Sequence, residues 1–268
     1  MLWCCIEPER EEKTATIMQA VAHGFGGRTC IGEPPDDGEM FIVWGQLWTA
    51  LKAIQKARET GRPYLHLDNG YVKPARGMPI GYYRITYCSP APILLDDPPK
   101  ARVKVPMHPW RTQGRHVLIG IPGADYGKAW GMDMQAWLRT CVTILRRHTE
   151  RPAYTRHKKS HMPLARDFRN CWAVYTHSSN IGVDAVLAGI PLFCAETNPA
   201  APVGNIDIAD ISRPAMPDRQ RWFDSLMAQQ YTLSEMRSGL AREYVGAVIQ
   251  QAKASAACQP RSPMLTAI

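Results

Sequence analysis

Residues 171–194 read Cys-Trp-Ala-Val-Tyr-Thr-His-Ser-Ser-Asn-Ile-Gly-Val-Asp-Ala-Val-Leu-Ala-Gly-Ile-Pro-Leu-Phe-Cys, and this stretch decides the fold. Cys171–Tyr175 is a short apolar run, which predicts a buried strand. It runs into Thr176, His177, Ser178, Ser179 and Asn180, small polar residues that open a predicted helix over 181–188. Gly189 closes that helix, and 191–194 is a further apolar strand. Strand, short loop, helix and strand in that order predict a parallel α/β sheet. Ser178, Ser179 and Asn180 can cap the helix, whose free N–H groups and positive dipole end suit a phosphate. Gly182 leaves room for a close approach in the first turn. The same residues also describe an ordinary capped helix.

The alternation extends both ways. Upstream, 117–121 reads as a strand followed by the loop Pro122-Gly123-Ala124-Asp125-Tyr126-Gly127, where Gly123 could cradle a ligand. This loop has neither the dinucleotide nor the P-loop glycine spacing. Met134, Trp137, Leu138, Cys141 and Leu145 recur at helical spacing, and 152–155 is a short strand. In the first half, 2–6, 40–44 and 64–67 are strand runs, separated by helical stripes over 13–25 and 47–60. Between 86 and 115 six prolines interrupt all periodicity, which is the composition of a semi-rigid linker. We therefore predict an N-terminal domain at 1–105 and a C-terminal domain at 106–268. The second includes helices over 217–229 and 234–253. Two such domains predict a ligand cleft.

Composition narrows the function. Hydrophobic residues are 45% and charged residues 21% of the 268, an ordinary globular balance that argues against disorder. No apolar run approaches the roughly 20 residues of a membrane helix. The N-terminus is acidic where an export signal would be basic, so the expected location is the cytoplasm. The eight cysteines form no disulfide framework or zinc spacing. Charge is uneven: residues 1–105 carry 13 Lys+Arg against 12 Asp+Glu, and residues 106–268 carry 19 against 12. The second half thus holds most of the net +8, which suits a polyanion or a phosphate-bearing ligand.

The string Thr176–Pro191 (THSSNIGVDAVLAGIP) resembles the donor-nucleotide motif of GT-B glycosyltransferases, nearest to the bacterial branch with capsule and Kdo-type enzymes. Four further segments are similar to phage-encoded glycosyltransferases that modify DNA. They are 41–54 (FIVWGQLWTALKAI), 63–71 (PYLHLDNGY), 81–86 (GYYRIT) and 217–239 (PDRQRWFDSLMAQQYTLSEMRSG). The resemblance implies a GT-B-like α/β fold, two Rossmann-like domains facing across a cleft. It also implies a nucleotide-sugar donor, a UDP-sugar, held in the second domain by His177, Ser178, Ser179 and Asn180.

Asp68 follows a predicted parallel strand in the acceptor half, where open α/β sheets bind ligands. It is the candidate base for an acceptor hydroxyl, although Asp68-Asn69-Gly70 is also good turn chemistry. His66, Asn69 and Tyr71 flank it as acceptor contacts, and Arg84 joins Tyr82 and Tyr83 as a cation beside stacking faces. The basic run 146–166 supplies Arg156 and Lys158 for the donor diphosphate, and Arg147 and Lys159 for a phosphate backbone. The preferred acceptor is a hydroxymethylated pyrimidine in double-stranded DNA, flipped out of the stack in the cytoplasm of an infected bacterial host. The rivals are a transferase acting on a surface polysaccharide or lipid-linked sugar, and a non-catalytic nucleic-acid-binding protein on the same scaffold. No DxD triplet is present, so no metal or other cofactor is expected, and the protein is expected to be a monomer.

Overall fold

The structure, a computed structural model, describes residues 1–72, 81–123, 126–127, 131–158 and 160–254. Two units divide the chain: Met1–Arg102 with the chain from Asp224, and Val103–Phe223.

The first unit is built on β1 (Leu2–Ile6), β2 (Arg28–Ile31), β3 (Met40–Trp44), β4 (Tyr64–Asn69) and β5 (Tyr83–Tyr87). With the short strand Gln230–Tyr231 they form one sheet, ordered Gln230–Tyr231, β5, β4, β3, β1, β2. The strands β2, β1, β3 and β4 are parallel, and β5 returns antiparallel to β4. The continuous apolar runs arise because both faces are covered. Cys4, Ile6, Ile42, Leu65 and Leu67 face α1 (Glu11–Phe25), whereas Cys5, Phe41, Val43 and Tyr64 face α2 (Trp48–Thr60). β2 was not expected from sequence. It lies at the sheet edge, largely exposed, and carries no apolar alternation.

The C-terminal helices correct the expected domain content. They do not join the second unit: Met236, Ala241, Val245 and Val248 enter the core formed by α1 and β1–β4. The single helix predicted over 234–253 is two, Leu233–Ser238 and Leu240–Ala254, broken at Gly239 with φ 90°. Thr232 and Glu235 cap the first of them reciprocally. An apolar stripe shows that a helix is buried, not against which sheet, so these helices could not be assigned from sequence.

The second unit holds β6 (His116–Gly120), β7 (Ala153–Arg156), β8 (Cys171–Thr176) and β9 (Leu192–Cys194), ordered β7-β6-β8-β9 and parallel throughout. The helix α3 (Met134–His148) lays Trp137, Cys141 and Leu145 on this sheet, matching its sequence stripe. Two short helices follow, α4 (Leu164–Asp167) and α5 (Ile181–Leu187). Arg219 is buried and ties the proline-rich segment to α5. It donates to the Val186 carbonyl at 2.6 Å and the His108 carbonyl at 2.7 Å, and stacks over Trp110. In each sheet the winding reverses beside the first strand, between β1 and β3 and between β6 and β8. Open sheets of this kind bind ligands outside the strand carboxyl ends at such points.

Gly24 in α1 faces the backbone of Leu233–Ser238, and a Cβ there would overlap the Met236 carbonyl oxygen. Because backbone meets backbone, the neighbour cannot yield by rotating a side chain. Gly24→Ala should therefore destabilise the protein by about 1–3 kcal/mol, read as a lowered urea midpoint at unchanged slope.

Candidate functional site

The carboxyl edge of the second sheet gathers most of the expected donor-site residues. β6 and β8 are neighbours in register, Gly120 beside Thr176, and the Thr176 hydroxyl donates to the Gly120 carbonyl at 2.7 Å. Their loops, carrying Gly123 and His177–Asn180, therefore leave the sheet side by side. A Cβ on Gly123 would meet nothing within 4 Å, so the backbone there is open to a ligand. Lys158 is exposed in the turn just after β7, the strand on the other side of β6. Ser178, Ser179 and Asn180 are half-buried, and the Ile181 N–H donates to Ser179 Oγ at 3.4 Å. Asn180 occupies the N-cap position without a side-chain cap bond.

His177 stands at the same edge, tilted against the Tyr126 ring at 6.1 Å. Its Nδ1 is buried without a hydrogen-bond partner, and burial holds its pKa below the usual histidine range. The ring is thus neutral near pH 7 and offers a ligand a hydrogen bond rather than a charge.

Asn198 holds this loop, and sequence reasoning missed it. Its Nδ2 donates to the carbonyls of His177 and Ser179, both at 3.2 Å, while its Oδ1 accepts from Ala200 N–H at 3.0 Å. The side chain is buried. Gly182 has a different purpose from the one expected: a Cβ there would come within 2.8 Å of Asn198 Oδ1. The close approach is by Asn198, not by a ligand. The only sequence signal was an asparagine in the loop after a strand.

In the first unit Asp68 does end a parallel strand, β4. Its carboxylate is engaged, however: Oδ2 pairs with Arg84 Nη2 at 3.0 Å, and Oδ1 accepts from Asn69 N–H at 2.7 Å. Asp68 and Arg84 are directly opposed across the β4–β5 ladder. Arg84 also lies over the Tyr71 ring at 5.1 Å. Arg84 thus orients Asp68, rather than standing apart with Tyr82 and Tyr83 as a stacking platform. Tyr71 and His66 are buried beneath them, and burial pushes the His66 pKa down to about 4. His66 is therefore a neutral core residue, and Asn69 is exposed at the strand end.

The basic run does not make one surface. Arg147 is exposed in the last turn of α3, just before β7, so it lies at the amino ends of the strands. Lys158 lies beyond β7, at their carboxyl ends. Arg156 is ion-paired with Asp167 and also donates to the Met162 carbonyl at 2.9 Å, so it braces the segment around α4. Arg151 stacks on Trp172 and bonds to the Gly114 carbonyl. Lys159 lies outside the described residues. Among the described residues no cluster of His, Cys, Asp or Glu is arranged to hold a metal.

The first sheet has a further polar residue at its own switch point. Glu7, directly after β1, is buried and accepts from Ala50 N–H in the first turn of α2 at 3.0 Å. Burial first, then its contact with Glu9, raises its pKa.

No family model matches the chain, and no curated protein sequence matches it. Solved structures do. The β-Kdo 2,4 transferase of Thermosulfurimonas dismutans KpsC is 14% identical, with 92% of this chain and 97% of that one covered at a TM-score of 0.52. The β-Kdo 2,7 transferase of the same organism's KpsC is 12% identical, with 90% and 99% covered at a TM-score of 0.50. The fold is GT-B-like. No helix among the described residues is long and apolar enough to cross a membrane.

Two outcomes test this geometry. Asn198→Ala leaves the Ala200 N–H without its partner, at about 1–3 kcal/mol for a buried donor, while the His177 and Ser179 carbonyls lose one donor each and keep the N–H groups of Ala195 and Gly182. Thermal unfolding should show that loss. For Glu7 the folded-state pKa is raised, so its contribution to stability is present below the unfolded carboxyl value and is lost as pH rises through the folded value. Glu7→Gln stays neutral and still accepts from Ala50. It should match the wild-type Tm near pH 4 and exceed it at pH 8.

Proposed function

We propose that the protein is a glycosyltransferase that moves a sugar from a nucleotide donor to the hydroxyl of a saccharide acceptor. The observation that carries this reading is the end-to-end likeness to two sugar transferases, which covers at least nine-tenths of every chain compared. Both of those proteins are named as Kdo transferases, which supports an acceptor of the surface-polysaccharide class. The second unit's edge supports the reading independently, since its small polar loop, helix start and Lys158 suit a nucleotide phosphate.

In the proposed reaction the acceptor oxygen attacks the anomeric carbon, and the bond from that carbon to the phosphate oxygen breaks. Asp68 takes the acceptor proton, with Arg84 fixing the orientation of its carboxylate. Ser178, Ser179, the α5 N–H groups and Lys158 receive the charge on the departing nucleotide. His177, neutral and short of one partner, donates or accepts at the same edge.

The finer expectations were a UDP-linked donor and hydroxymethylated DNA as acceptor. A saccharide is preferred to DNA here because Arg147 and Lys158 lie at opposite ends of β7 and Arg156 is paired within the unit. That divides the positive charge expected to track a phosphate backbone.

Incubation with nucleotide-activated Kdo or UDP-hexoses, offered both a Kdo-terminated oligosaccharide and a hydroxymethylcytosine duplex, tests all of this by intact mass. One sugar added to the oligosaccharide is expected. Addition to the duplex alone would reverse the acceptor assignment, and no transfer from any donor would end the glycosyltransferase reading. Asp68→Asn should slow transfer by roughly 10²–10⁴ while sparing nucleotide binding. Replacing Ser178 and Ser179 by Ala should instead weaken nucleotide binding about tenfold or more.

A further inference from the structure

The loop after β3 combines features that the fold alone does not explain. Trp48, the first residue of α2, has φ 53°, a left-handed conformation that a bulky side chain rarely adopts. It is also 40% exposed, although the burial of so large a ring is what normally offsets such strain. The Arg10 guanidinium lies over the ring at 4.8 Å and covers one face. Two residues earlier, the half-buried Gln46 keeps its Oε1 shielded and without a hydrogen-bond partner. Both residues stand at the carboxyl ends of β1 and β3, where the winding of the first sheet reverses. Glu7 fixes the loop there through its bond from Ala50 N–H.

We propose that this loop is a saccharide platform, on which the open face of Trp48 stacks a neutral pyranose ring and the half-buried Gln46 side chain turns outward to meet one of its hydroxyls. The inference rests on the glycosyltransferase reading only in taking this saccharide to be a neutral unit of the acceptor chain, next to its charged Kdo terminus; binding itself does not depend on it. A sugar ring presents an apolar C–H face to an aromatic surface and hydroxyls to its side, which matches a tryptophan beside an unanswered amide. A nucleotide would also stack on Trp48, and the Arg10 guanidinium over the ring would attract its phosphates, so UDP is the rival ligand. Glu7 acts here as a positioning residue, holding the loop that carries Trp48.

The test uses the full chain on an array of neutral hexose oligosaccharides, followed by calorimetry with the glycan bound best. Trp48→Gly removes the ring and relieves the backbone, because glycine adopts φ 53° freely. The expected result is at least tenfold weaker glycan binding, unchanged UDP binding and a Tm equal to or above wild type. Trp48→Phe should retain part of the affinity, and Gln46→Ala should weaken binding without changing the Tm. In a transfer assay Trp48→Gly should raise the acceptor KM and leave the donor KM alone. Unchanged glycan affinity in Trp48→Gly, loss of UDP binding in place of glycan binding, or a wild-type protein that binds none of the arrayed glycans would overturn the platform. The two readings fail separately. Glycan binding without transfer keeps the platform and ends the transferase reading. Transfer by the wild type together with unchanged glycan affinity in Trp48→Gly does the reverse.

Discussion

The Thr176 hydroxyl donates to the Gly120 carbonyl at 2.7 Å, and the second unit's candidate site depends on that bond. It joins the last residues of β6 and β8, the strands between which the winding reverses. A buried carbonyl at a strand end needs a partner, and Thr176 is fully buried, so exchange with water cannot replace the bond cheaply. Gly120 adds a steric condition, since a Cβ there would lie 2.7 Å from Ile181 Cγ2. Only with a bare Cα at Gly120 can α5 start close to the sheet edge, with Asn198 filling the space beside Gly182 and gripping the carbonyls of the intervening loop. Bond, glycine and amide together place the residues 177–180, which are otherwise only half-buried.

Much of this was legible in the sequence because local signals and tertiary outcome agreed. The apolar runs at 2–6, 40–44, 64–67, 117–121 and 171–175 became parallel strands, and the stripe from Met134 to Leu145 became a helix over one sheet face. What was not legible depends on partners far away in the chain. The strand pair Asp68–Arg84 arises from the register of β4 and β5, and no local pattern states a register. The C-terminal helices carry stripes that fit either sheet. Gly24 against Met236 decides where they pack, and that contact spans more than two hundred residues. The edge strand β2 gave no signal, because edge position leaves its residues exposed.

Charge shows the same distinction. Seven basic residues within 146–166 read as one feature in the sequence, since proximity along the chain is all that a sequence displays. A β-strand rises about 3.3 Å per residue, and β7 runs through the middle of the segment. It carries the chain from one end of the sheet to the other. Arg147 and Lys158 are consequently on opposite edges, and Arg151 and Arg156 are consumed by Trp172 and Asp167. A net positive half of the chain need not be a positive surface.

The two sheets manage polar groups at their switch points in different ways. At β6–β8 the loop is held by a neutral amide, and the adjacent histidine is kept neutral by burial. Neither contributes a charge of its own, so the helix start and Lys158 supply the attraction for an anion, against the carboxylate of Asp184 in the helix's first turn. At β1–β3 the loop is held by a carboxyl whose burial favours the protonated form. The N–H of Ala50 offers it a partial positive charge, but Glu9 next to it does not allow two full negative charges at close range. The Glu7 carboxyl therefore offers hydrogen bonds rather than a full charge, and a cation at this edge, the Arg10 guanidinium, lies over Trp48. That difference follows from which side chain was recruited to pin each loop, an amide at one edge and a carboxyl at the other.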